Sequence, residues 1–62
     1  MIKVEISSGF IHNCKLLAEI ELEGRFVALY QFSKRKYFLH IEDDGFYEFN
    51  SRKAVDNFLV TI

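Results

Sequence analysis

The sequence predicts an α+β fold: a five-stranded antiparallel meander, strongly bent or curled into a small partly open barrel, with one C-terminal helix packed on its inner face. Three observations carry this expectation. Arg25 to Phe49 alternates with a period of two and holds eight of the ten aromatic residues. The three glycines each stand third in a short break between apolar runs: Ser7-Ser8-Gly9, Leu22-Glu23-Gly24 and Asp43-Asp44-Gly45. After Phe49 the apolar spacing lengthens to that of a helix.

Ile2, Val4 and Ile6 alternate with Lys3 and Glu5 as a first strand, and a Ser7-Ser8-Gly9 loop pairs Ile6 with Phe10 and Val4 with His12. The second strand, Phe10 to Glu21, is long for its type, so a bend or bulge is expected near His12 to Cys14. A three-residue loop at Leu22-Glu23-Gly24 pairs Glu21 with Arg25, Ile20 with Phe26 and Leu16 with Tyr30.

On the third strand Phe26, Ala28, Tyr30 and Phe32 alternate with Val27, Leu29 and Gln31. A four-residue loop, Ser33 to Lys36, then pairs Phe32 with Tyr37 and Tyr30 with Leu39. On the fourth strand Tyr37, Leu39 and Ile41 alternate with Phe38, His40 and Glu42. An Asp43-Asp44-Gly45 loop with a left-handed Gly45 sets Leu39 opposite Phe49 and Ile41 opposite Tyr47, whereas a two-residue Asp44-Gly45 turn sets Ile41 against Glu48. The first is preferred, because it matches apolar with apolar and places His40 opposite Glu48. These registers agree on one inner face carrying most of the aromatics.

Ala54, Val55, Phe58, Leu59 and Ile62 form one helical stripe, with Arg52, Lys53, Asp56 and Asn57 opposite and Asn50 or Ser51 as the N-cap. The Val60-Thr61-Ile62 tail is expected to fray or add a short strand. This meander with one helix is similar in outline to small SH3-like barrels, including archaeal chromatin proteins of comparable length. The likeness is one of topology, and their strongly basic sheet surface has no counterpart here.

Residues 1–62 form one small domain, which buries only about 60% of the surface its unfolded chain exposes. Cys14 is the single cysteine, so no internal disulfide forms, and the start MIKVEISSGF carries no secretory apolar segment. A cytoplasmic location is the expectation. No apolar run approaches the roughly 20 residues that span a bilayer, so membrane partners are not expected. A net charge of -1 argues against a generic nucleic-acid binder.

Alternate turns of a meander share one end of the sheet. Glu21, Glu23, Glu42, Asp43 and Asp44 therefore gather at one pole, and Lys34, Arg35, Lys36, Arg52 and Lys53 at the other. On the outer face, Glu19, Glu21, Glu42 and Glu48 with His40 are expected to border an apolar strip of Leu17, Val27, Leu29 and Phe38. An apolar strip rimmed by carboxylates suits docking onto a basic protein surface. Homodimerisation is the competing use of that strip.

Cations in the first turn oppose the helix dipole by roughly 0.3 to 1 kcal/mol each. The basic pole would therefore gain from a bound phosphate or acidic partner.

His12 and Cys14 share a strand face, but no further ligands at suitable spacing complete a metal site. Asp43, Asp44 and Glu48 read as turn and strand residues rather than an acid–base pair. No catalytic, cofactor-binding or metal residue is assigned, and the expectation is a non-enzyme: an inhibitor or accessory subunit that docks on a larger, basic protein. An anion or nucleic-acid binder using the basic pole ranks behind it.

Overall fold

The computed structural model describes residues 1–6 and 9–61. Five antiparallel strands, β1 (Ile2–Glu5), β2 (Ile11–Leu22), β3 (Arg25–Ser33), β4 (Lys36–Ile41) and β5 (Gly45–Phe49), lie in sequence order, followed by helix α1 (Arg52–Leu59). The sheet is bent and remains open, and the expected meander with its single C-terminal helix is the observed fold.

The β1–β2 register is the expected one, with Val4 opposite His12. The N–H of Ile6 donates to the carbonyl of Phe10 at 3.0 Å, while the Ser7-Ser8 part of that loop lies outside the described residues. The β2–β3 turn differs from expectation. Leu22 pairs with Arg25, so the loop is the two residues Glu23-Gly24, at φ 52° and 83°. Positive φ at both positions is the signature of a type I′ turn, whose twist matches that of the flanking strands. One residue fewer in the loop turns β3 over relative to β2.

Val27 and Leu29 therefore face the helix, while Phe26, Ala28, Tyr30 and Phe32 face away from it. The β3–β4 turn shortens likewise, with Ser33 opposite Lys36 and a bulge at Phe32. Leu29 thus pairs with Leu39, and Tyr30 with Phe38. In the last hairpin Ile41 lies opposite Gly45 and Leu39 opposite Tyr47, a slide of two residues from the expected register that leaves every side chain on its expected face. The loop is Glu42-Asp43-Asp44, with Asp43 at φ 69°.

A bulge at Leu17 separates two halves of β2. It stands nearer the middle of the strand than the expected His12–Cys14 position. Ahead of it Leu16 shares a face with Tyr30, and behind it Ala18, Ile20 and Leu22 share a face with Val27 and Leu29. Two cores result. On the helix face Val55, fully buried, packs with Val27, Leu29, Leu39 and Ile41. The Phe58 ring stands 5.0 Å from that of Tyr47 and 5.3 Å from that of Phe49. On the other face the sheet curls until Val4 of β1 and Cys14 of β2 reach Phe38 of β4, with Ile6, Tyr30 and Phe46 around them.

The helix begins as expected. Ser51 caps it, its Oγ accepting from the Ala54 N–H at 3.1 Å, and Arg52, Lys53, Asp56 and Asn57 stay exposed. Val60 and Thr61 continue as a turn rather than a strand, with the Thr61 N–H and Oγ both donating to the Phe58 carbonyl, and Ile62 lies outside the described residues.

The inverted β3 face has a direct test. Leu29→Ala is expected to lower the unfolding free energy by about 2–5 kcal/mol, as for other buried leucines. Phe26→Ala should shift it by no more than about 0.5 kcal/mol, as for an exposed residue. Urea denaturation followed by circular dichroism separates the two, and the reverse ranking would restore the sequence-expected face.

Candidate binding face

The face away from the helix is built in rows across the strands. Glu21 of β2 lies opposite Phe26 of β3, and Phe26 in turn meets Glu42: the Phe26 N–H donates to Glu42 Oε1 at 3.0 Å, and the Glu42 N–H donates to the Phe26 carbonyl at 2.9 Å. Phe26 is 61% exposed between those two carboxylates. The next row runs Glu19, Ala28, His40 and Phe46, with the His40 and Phe46 rings stacked at 4.4 Å. A third runs Leu16, Tyr30, Phe38 and Glu48. Burial, the nearby Glu19 charge and Cys14 together hold the Tyr30 phenol above its ordinary pKa.

The structure corrects part of the expected strip. Val27 and Leu29 are buried beneath the helix, because the shorter β2–β3 turn inverted β3. Leu17 is the bulge residue and packs against the helix-side core. Phe38 keeps its expected face but is buried, since the curl brings Val4 and Cys14 over it. Glu19, Glu21, His40, Glu42 and Glu48 stand on the expected face, and Glu48 meets Phe38 across the strands rather than His40. What the sequence missed is the apolar content that β3 brings: Phe26 and Tyr30 in place of Val27 and Leu29. The signal was the Glu23-Gly24 pair, in which a turn of two residues was available.

At the opposite end of the sheet Phe49 lies opposite Tyr37, so the chain leaves β5 beside the Ser33–Lys36 turn, and Arg52 and Lys53 follow. Two of the five cations there are paired: Lys36 with Glu48 at 2.7 Å, and Arg52 with Asp56 at 3.3 Å. Phe32, 45% exposed, immediately precedes the same turn, its ring 4.7 Å from that of His12.

His12 packs edge-on against Phe32 and beside Phe38, and Cys14 is fully buried, its thiol pushed up by burial. Among the described residues no group of three or more His, Cys, Asp or Glu side chains is arranged to hold a metal ion. On the helix face an apolar groove of about 130 Å³ opens between β2 and α1. Ala18, Ile20, Val27, Leu29, Leu39 and Leu59 line it, with Arg52 as its one charged residue. No helix is long and apolar enough to cross a membrane. No protein-family model, curated protein or solved structure matches the chain.

Cys14, Tyr30 and Tyr47 share one direction of shift. Burial raises Cys14 and Tyr30, while Tyr47 is raised by donating its hydroxyl to Asp44 Oδ2 at 2.7 Å. Groups with raised folded-state pKa values bind their protons more tightly when folded. Their stabilisation is fully present below the ordinary thiol and phenol values and is lost as pH rises through the folded ones. The urea midpoint is therefore expected to hold at neutral pH and to fall in strongly alkaline solution. A Tyr30→Phe, Tyr47→Phe double variant should fall less steeply, and an equal slope would remove the two phenols from the account.

Proposed function

We propose that this chain is a non-catalytic protein-binding module, an inhibitor or accessory subunit, that docks its acid-bordered sheet face onto a larger basic partner. The observation that carries the reading is Phe26: a large aromatic side chain left in solvent between Glu21 and Glu42, with Glu19 in the next row and the His40–Phe46 stack beyond. Aromatic anchors ringed by charge are what protein interfaces concentrate their energy in, and complementary charge steers the encounter. The carboxylates also favour a basic partner over a second copy of the same acidic face. The cytoplasm suits a chain whose single thiol is buried and unpaired.

Capture from the native host lysate, with wild type and a Phe26→Ser variant as paired baits, tests this. Wild type should retain a basic protein that Phe26→Ser loses by about tenfold or more in affinity, the scale of a truncated interface anchor. Capture of the same partner equally by both would end the proposal.

A second reading draws on Phe32, whose exposed ring adjoins the Lys34–Arg35 turn. A phenyl face beside cations is a platform on which a single-stranded nucleic acid could stack, while Arg52 and Lys53 at the helix start would welcome an anion. The expected outcome for this reading is salt-sensitive oligonucleotide binding, with log K falling against log salt, that a Lys34, Lys36, Arg52 triple charge reversal abolishes. No binding at low salt eliminates it.

A further inference from the structure

The edge of the sheet shows how a partner segment would attach. β1 pairs with β2 only over Ile11–Cys14 among the described residues, so from Lys15 onward β2 has β3 as its one strand neighbour there. The bulge at Leu17 interrupts that stretch and leaves Ala18–Leu22 as a regular free edge.

A two-residue hairpin closes on a hydrogen-bonded pair, here Leu22 with Arg25, and bonded pairs then alternate through Ile20–Val27 and Ala18–Leu29. The backbone of Phe26 agrees, since its N–H and carbonyl are both engaged with Glu42 on the β4 side. Glu21, opposite Phe26, therefore directs its N–H and carbonyl off the sheet, and so does Glu19.

The two sides of this edge differ in chemistry. Ala18 and Ile20 face the apolar groove whose far wall is Leu59, and Ile20 is 42% exposed there. Glu19 and Glu21 stand on the opposite side.

We propose that an extended segment of a partner protein adds to Ala18–Leu22 as a further strand. Its apolar side chains enter the groove between Ile20 and Leu59, and the lysines or arginines alternating with them lie against Glu19 and Glu21. This rests on the protein-binding reading above and names the partner's docking segment. Backbone bonds to Glu19 and Glu21 supply attachment, and the alternation supplies specificity. A second copy is refused by charge, because two β2 edges laid together gather four carboxylates on one side.

The test uses the intact chain and an alternating lysine–valine octapeptide, against the same residues arranged in two blocks and an alternating glutamate–valine peptide. Calorimetry should show the alternating basic peptide binding about tenfold or more tightly than either control. Nitrogen-15 spectra should show new amide protection at Glu19 and Glu21.

Glu21→Pro removes an N–H that the β2–β3 ladder does not use, so the fold should persist while peptide affinity falls by a similar factor. Should that variant fail to fold, Ile20→Lys, which charges the groove, is expected to show the same loss. Failure of the alternating peptide to outbind the block peptide, or unchanged affinity in a folded edge variant, overturns strand addition. Phe26-dependent capture of a folded partner is read separately and survives that result. Light scattering that shows a dimer broken by Glu21→Pro would instead overturn the choice of occupant.

Discussion

The constraint on which the molecule depends is the length of one turn. Glu23 and Gly24 both adopt positive φ, which a two-residue hairpin of the favoured twist requires and which glycine accepts without the Cβ clash that other residues meet. That turn fixes which side of β3 faces α1. With Val27 and Leu29 inward, two compact aliphatic side chains meet Leu39, Ile41 and Val55, and five residues form a core that an eight-residue helix can cover. With Phe26, Tyr30 and Phe32 inward, three aromatic rings would have to fit beneath the same short helix.

The aromatics placed on the other side need a second cover, and the bulge at Leu17 provides it. By turning the first half of β2 over, it brings Cys14 and Leu16 onto the aromatic face, and the curl carries β1 with them. Phe38 and Tyr30 are thereby covered by chain that precedes them in sequence, while Phe26, at the other end of β3, lies beyond its reach. A domain of this size has little apolar burial to spare, and splitting it between two small cores makes each fully buried residue count heavily.

Much of this was legible in the sequence. Alternation and the change of period located all five strands and the helix, and residue type narrowed the cap to Asn50 or Ser51 and marked the exposed helical stripe. The β1–β2 register was the expected one, with Val4 opposite His12, from the count of a three-residue Ser7-Ser8-Gly9 loop. Register elsewhere rested on placing the loops, and in the last hairpin a loop of the right length set one residue too late did no harm, since the resulting slide of two in pairing returns each side chain to its face. A miscount of one at Glu23-Gly24 inverted β3 and exchanged Val27 and Leu29 for Phe26. Residue type could not arbitrate there, because both faces of β3 are apolar. For the site, the carboxylates were placed correctly on the face opposite the helix, and the apolar part beside them was not.

Folding accounts for some of the exposed apolar surface and not for the rest. A helix of eight residues is only about 12 Å long and rests on β4 and β5, so the β2 side of its own face is left as a groove by the helix's reach. Ala18 and Leu22 pack against the helix-side core, and Ile20, between them on the same side of β2, borders that groove. Phe26 is 61% exposed and is a member of neither core, at a strand position where threonine or lysine would also suit a solvent-facing site. Its neighbour Glu42 gives one carboxylate oxygen to the Phe26 N–H, which holds that acid beside the ring rather than letting it swing into solvent. An exposed ring with a fixed carboxylate on one side and Glu21 on the other is an arrangement that stability does not require. On the reading proposed above, a cationic protein surface is the counterpart whose chemistry meets both the ring and the acids.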